Sequence, residues 1–402
     1  MITLADILNS DSNTTASDPV CQQAIAKCHG MGLPTRKWQS WKYDTLNEVF
    51  TRPAQLDTNQ EQDVNLQCDT EYKLVFLNGN YQASASNLPK GIEITQQGSD
   101  ELWSEFIKEM PSQEVLAWLG LRQQSLRTHI SVAANVSISG LAIVHYLNTT
   151  STAMANISWS IAPNVQLKST TEFRCHTDNI CYIYNQVATL ANDSHWHSDV
   201  IQKLPAAAEV FYHNYAKLAE SAHYQQATLH FGAKRSRNYE QIDLLGAHAN
   251  ASFKGLALPS ARQKHQQLLC INHRNVHTRS TQHYKSAVGS EAMFNFLGRI
   301  YVQQHAQKTD ASQLNHNMLM TKSATAYTKP ELEIYADDVK CAHGTTIGQV
   351  DKSKLLFLQM RGLDIDKAKS LILSGFCAEM LAIFHSKTAR NTTEEAIEQL
   401  VI

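Results

Sequence analysis

The spacing of apolar residues changes character twice along the chain. Near the start, Val20, Ala24, Ile25 and Cys28 fall near one face of a helix that Ser17-Asp-Pro-Val is suited to open and that ends around His29-Gly30. Between residues 99 and 118, Leu102, Phe106 and Met110 are spaced by four, Pro111 interrupts, and Val115, Trp118 and Leu119 resume. That pattern predicts two short amphipathic helices. Between these regions Gly32-Leu-Pro-Thr35 reads as a turn, followed by Trp38, Trp41 and Tyr43. Such an aromatic run is expected to fill a seam between elements in preference to forming a recognition surface. Residues 1–125 are therefore expected to form a mainly helical unit.

From about His129 the period shortens. Strand-like runs lie at 130–138, 141–147, 180–187, 227–231, 241–245, 251–258, 266–271, 292–296, 298–302, 317–320 and 332–335. Many end in Asn, Gly or Asp, and the gaps between them do not read as βαβ crossover helices. Ala- and Glu-rich sequence over 200–222 suggests one helical break. A wound or stacked β architecture fits better than a Rossmann sheet, and the irregular coil lengths leave sandwich and parallel β-helix both open. Helical signals then return. Asp351 is placed to cap Lys352–Met360, Gly362 to end that helix, and Asp364 or Asp366 to begin the next. Ile365, Ala368, Leu371 and Ile372 line one face, which Phe376, Met380 and Ile383 continue. A last helix follows Thr392-Thr-Glu-Glu, with Ala396, Ile397, Leu400 and Val401 as its apolar stripe. A tail this short buries little area alone, so it must pack on the β region or on another protein.

Composition narrows the class. At 402 residues the chain has room for two or three domains, and 43% hydrophobic residues can build a sizeable core. Lys and Arg number 35 against 37 Asp and Glu, a net charge of −2, which excludes nucleic-acid binding by bulk charge and gives no polybasic membrane anchor. No run approaches the roughly 20 apolar residues of a membrane-inserted helix. The opening Met-Ile-Thr-Leu-Ala-Asp lacks a basic signal-peptide region, so a cytoplasmic location with the eight cysteines reduced is the expectation.

The familiar catalytic fingerprints are missing: no P-loop, no H-E-x-x-H, no G-x-S-x-G and no C-x-x-C. The densest polar stretch is Asp337-Asp-Val-Lys-Cys-Ala-His-Gly-Thr-Thr-Ile-Gly348. Cys341 and His343, two apart, leave the same face of an extended segment and could ligate a soft or borderline metal, or the imidazole could lower the thiol pKa. Two ligands do not complete a site; the bland alternative is a buried cysteine beside a hydrogen-bonded histidine. Cys270-Ile-Asn-His273-Arg-Asn-Val-His277 has zinc-like spacing but is one ligand short. Cys175-His176 with Cys181, and His195 with His197, are looser sets. Asp337 and Asp338 would be the first carboxylates of a polysaccharide-active enzyme on a β-helix, although neighbours in a strand face opposite ways.

Several stretches resemble the SufB/SufD family of the SUF iron–sulfur cluster assembly system. The strongest is Pro330-Glu-Leu-Glu-Ile-Tyr-Ala-Asp-Asp-Val-Lys-Cys-Ala-His-Gly-Thr-Thr-Ile-Gly-Gln-Val-Asp351. It is joined by Ala306-Gln-Lys-Thr-Asp-Ala311, His277-Thr-Arg-Ser-Thr-Gln-His-Tyr-Lys285, Arg361-Gly-Leu, Ala368 through Gly375-Phe376, and the opening Gly32-Leu-Pro-Thr35 with Trp41-Lys-Tyr43. The Cys-x-His-Gly form of Cys341 to Gly344 is similar to the SufD branch. Ala342 where Ser is common, and Gln39 where Glu is usual, are local departures.

The resemblance implies a mainly β protein: a right-handed parallel β-helix core over 126–351 between helical domains at 1–125 and 352–402. It implies a non-ATPase scaffold of a SufBCD complex, without turnover of its own, that assists iron acquisition. SufB would pair through the β-helices, and the SufC ATPase would dock on the C-terminal domain through Arg361, Ile365, Ala368, Leu371 and Ile372. His343, with Cys341 beside it, would handle iron or a transient cluster at the SufB junction. No cofactor is expected to be held stably by the chain alone. A reduced flavin is associated with such complexes, and no feature here places one. Pairing with a second copy when alone is a further option. A polysaccharide-active β-helix enzyme and a purely structural β-helix adaptor are the rival expectations.

Overall fold

The computed structural model describes residues 18–31, 34–44, 70–96, 100–111, 113–122 and 127–401. Ser17, Gly32, Leu33, Cys68 and the expected boundary at 125/126 lie outside these residues. Helix α1 (Pro19–Met31) begins as its sequence suggests, with Pro19 in the first turn and Asp18 Oδ1 accepting from the Cys21 N–H at 2.8 Å. Val20, Ala24 and Cys28 are buried on one face. Helices α2 (Asp100–Glu109) and α3 (Val115–Gly120) flank Pro111.

Among the described residues, nineteen strands follow one logic. After β1 (Tyr72–Leu77), β2 (Asn80–Tyr81) and β3 (Ile92–Gln96), strands β4 (Arg127–Val132) to β19 (Lys340–Gln349) alternate between two sheets. One sheet has the order β19-β17-β15-β13-β11-β9-β7-β5-β1-β2, the other β18-β16-β14-β12-β10-β8-β6-β4-β3. Apart from the antiparallel β1/β2 and β3/β4 pairs, neighbours are parallel and in near-perfect register. The protein is thus a parallel β-solenoid of about eight turns with helices at both ends. Left-handed backbone recurs once per coil at one corner, at Asn135, Asn164, Asp193, Ser221, His248, His277 and Lys308. Asn, Asp and His are enriched in that conformation, whereas Ser and Lys do not announce it. With the residue type changing from coil to coil, the repeat leaves only a faint mark on the sequence.

Two expectations change. Residues 1–125 are not helical throughout: Tyr72-Lys-Leu-Val-Phe-Leu joins the first sheet as β1, with Leu74 to Leu77 buried. Residues 200–222 hold no helix but the second half of β9 (His195–Leu204) and all of β10 (Glu209–Leu218). Both faces of β10 are buried, so it lacks strand alternation: Val210, Tyr212 and Leu218 face the solenoid interior while Phe211 and Tyr215 lie under the N-terminal helices. Glu209 is buried against Arg235.

The helical units cover opposite sheets. Trp41, Trp103, Phe106 and Trp118 pack α1–α3 onto β8 (Cys181–Leu190) and β10. Buried arginines fasten this contact: Arg127 to Asp18 and Asp100, Arg235 to Asp44, and Arg237 to Glu114, with the Arg237 guanidinium 3.7 Å above the Trp41 ring. Tyr43 stacks on Tyr327 at 3.8 Å, so the aromatic run fills a seam as expected. At the other end, α4 (Lys352–Met360), α5 (Ile365–Leu381) and α6 (Lys387–Val401) form the tail. Leu373, Cys377, Met380, Ile397 and Leu400 seat α5 and α6 on Ile201, Leu229, Phe231 and Leu256. Among the described residues, no helix is long and apolar enough to cross a membrane.

Candidate functional site

Strand β19 is the edge of its sheet and the last strand of the solenoid. Parallel register stacks Cys341 on Ala311, His343 on Gln313 and Thr345 on Asn315. In β17 (Asp310–Leu319) those positions are buried and face the interior. In β19 the same parity leaves His343 and Thr345 exposed and Cys341 half-buried, because no described strand lies beyond it. His343 stands over a polar ladder in which Gln313 Nε2 donates to Gln282 Oε1 at 2.7 Å, while Gln313 Oε1, also buried, accepts nothing. Cys341 sits deeper, against Ile300, Val302, Ala311 and Ala336. Desolvation, and then the Asp310 carboxylate, push its thiol pKa up, so the geometry does not preform a thiolate.

Sequence spacing thus places Cys341 and His343 correctly on one face, yet among the described residues no third His, Cys, Asp or Glu completes a metal-ligating group with them. Asp338 serves the corner instead. The main-chain carbonyl of Asp338 accepts from the Lys308 N–H at 2.6 Å and its side chain pairs with the Lys308 ammonium.

The Cys270/His273/His277 and Cys175/His176/Cys181 sets do not assemble. In β14 (Lys264–His273), Cys270 and His273 are three apart and face opposite ways. Both His273 ring nitrogens are engaged at 2.8 Å, by Thr278 and Ser280, and His277 sits in the left-handed corner stacked on His248. Burial pushes the Cys28, Cys270 and Cys377 thiols up to about 12, which keeps them protonated. Cys175 donates to the Thr177 carbonyl at 2.9 Å, His176 packs on Tyr146, and Cys181 is buried apart.

The tail carries a second exposed surface. Asp351 Oδ1 accepts from the Ser353 and Lys354 N–H groups, Gly362 closes α4 at φ +92°, and Asp364, not Asp366, caps α5. The expected stripe of Ile365, Ala368, Leu371 and Ile372 splits. Ala368 is fully buried and cannot meet a partner, because its face of α5 turns inward; Ile372 is half-buried; Ile365 and Leu371 are exposed. Leu356, Phe357 and Met360 of α4 join them, with Met360 79% exposed. The sequence pattern missed these three, since a helix with no buried residue gives its apolar side chains no packing role to mark them. Arg361 caps α4 and lies 4.5 Å over the Phe357 ring.

The candidate residues thus sit on a parallel β-solenoid whose last strand is an exposed sheet edge, followed by a helix with no buried residue. The family model "SUF system FeS cluster assembly, SufBD core domain" matches residues 124–376. The chain is 29% identical over 92% of its length, and 90% of the relative's, to the iron-sulfur cluster assembly protein SufD of Escherichia coli (strain K12). It is 24% identical over 87% of its length, and 83% of the relative's, to an iron-sulfur cluster assembly SufBD family protein of Synechocystis. The chain belongs to the SufB/SufD family, and within it the near full-length likeness is to SufD. Its role lies in iron–sulfur cluster assembly in the SUF system.

Proposed function

We propose that the chain is the SufD-type scaffold of a SUF assembly complex, working in the cytoplasm without turnover of its own, and that it handles iron through His343 at a junction with a SufB-type partner. The observation that carries this is the exposed His343 on the uncovered face of β19, beside Cys341. A neutral imidazole binds borderline iron through one nitrogen, and an incomplete ligand set makes sense where a second chain supplies the rest. Iron and the nascent cluster are cargo, and the raised thiol pKa makes Cys341 the secondary ligand. The exposed strand edge supports β-helix pairing as the mode of contact. The apolar face of α4 and α5 supports docking of a SufC-type ATPase, with Leu356, Phe357, Met360, Ile365 and Leu371 as its centre and Arg361 at its rim.

The test is anaerobic reconstitution of the three-protein complex with wild-type and His343→Ala chains. Assembly should be intact, since one side chain is a small part of such an interface, and iron content and cluster absorbance should fall sharply. Cys341→Ser should be milder. Normal cluster yield from His343→Ala would leave a purely structural adaptor.

A further inference from the structure

His197 and Asp199 leave the same face of β9 and meet His385, which lies in the connection from α5 to α6. Asp199 is fully buried. Its Oδ2 accepts from the His385 and Ser386 N–H groups at 2.9 and 2.8 Å, and His385 Nδ1 lies 3.0 Å from it. Its Oδ1 accepts no hydrogen bond, and His197 Nε2 stands 3.5 Å away. The two imidazoles meet edge to face with centroids 4.7 Å apart. One donor atom from each residue falls within 4.8 Å of the other two, the one such group among the described residues.

The two short separations end on different carboxylate oxygens, His385 Nδ1 on Oδ2 and His197 Nε2 on Oδ1, so Asp199 presents one oxygen to each imidazole and an ion held between the three side chains would draw on both. His385 Nε2 lies 3.2 Å from Thr170 Oγ1, where either group can donate; in the tautomer whose Nε2 donates, Nδ1 turns a lone pair toward the carboxylate and is open to a cation. One divalent ion would then engage all three side chains. Both imidazoles keep partial solvent access, which leaves room for water ligands.

We propose that His197, Asp199 and His385 bind a borderline divalent cation, of the Zn²⁺ or Fe²⁺ class, that clips the C-terminal helices to the β-solenoid. Two imidazoles and a carboxylate select that class over Mg²⁺ or Ca²⁺, which take all-oxygen sites. The site lies on a different part of the solenoid from the open coil that carries His343, so it stands apart from the iron-handling proposal.

The experiment titrates chelator-stripped, full-length protein with Co²⁺, reading ligand-field bands and the thermal midpoint, and then displaces Co²⁺ with Zn²⁺. Wild type should show a single saturable equivalent with a raised midpoint. His197→Ala and His385→Ala should each lose roughly tenfold or more in affinity together with the midpoint shift. A His248→Ala/His277→Ala chain, which removes a stacked surface pair instead, should behave as wild type. Should His385→Ala fail to fold, His197→Ala, whose ring contacts Asp199 and His385 at the surface, carries the same comparison. No saturable equivalent in wild type, or unchanged binding in His197→Ala, would overturn the site.

Discussion

The two ends of the solenoid interior are built differently. In the first coils Phe76, His145, Phe173, Tyr182 and Tyr184 pack face and edge on one another, and the N-terminal helices close the adjoining sheet face. In the last coils a small apolar cluster of Ile300, Val302, Ala306, Ala311 and Ala336 lies beside inward Gln282, Gln313, Asn315 and Asn317, joined by side-chain amides, and no described strand lies beyond the final one. An apolar interior left open would expose a contiguous sticky patch, while an amide ladder can end in solvent at little cost. The edge is guarded as well. Strand β18 (Thr325–Ile334) carries Pro330 and the charged network of Lys329, Glu331, Glu333 and Arg299, which discourages indiscriminate strand addition. The protein keeps one end for stability and leaves the other incomplete, and its candidate metal-handling histidine lies on the incomplete end.

The sharpest way to break this contrast is to cut both interiors. Phe173→Ala should destabilise by about 3–5 kcal/mol in denaturant unfolding, and Gln313→Ala by about 1–2 kcal/mol, since the first leaves a cavity and the second one unpaired amide. Equal losses would mean that the ends are energetically alike.

Acid should attack the closed and central coils next. Burial depresses His145, His213, His230 and His273 to about 3 and His265 to about 4. Their contribution is present above the unfolded value near 6.5 and is lost as pH falls toward those folded values, on the order of 2 kcal/mol per histidine by pH 5. Glu240 acts in the opposite sense. Burial raises it to about 6, against donation from the Asn214, Gln267 and Gln226 amides. It stabilises below about 4.5 and loses that contribution as pH rises through 6. Stability followed by denaturant from pH 4.5 to 7 should therefore rise, and rise more steeply in Glu240→Gln. A flat profile would contradict neutral buried histidines.

The smallest effect on stability belongs to the projecting helix. Phe357→Asp and Leu371→Asp replace exposed side chains, so each should shift stability by no more than about 0.5 kcal/mol. Capture of a SufC-type ATPase by the same variants should nevertheless fall strongly. Undiminished capture would move the docking surface away from α4 and α5.

Local interactions were readable from the chain itself. Caps at Asp351 and Asp364, the stop at Gly362, the break at Pro111 and the common face of Cys341 and His343 each depend on residues within a few positions of one another. Resemblance supplied the parallel β-helix, which periodicity alone could not choose. What remained needed contacts between coils. The run at 200–222 became strands because helices packed on its outer face buried both sides of β10 and removed the alternation that marks a half-buried strand. Ala368 turned inward while Ile365 and Leu371 stayed outside because the solenoid surface, not the helix pattern, decided which face of α5 was covered. His385 reached Asp199 across 186 residues of chain, a separation at which spacing carries no information and only the folded coil and the docked tail bring donors together.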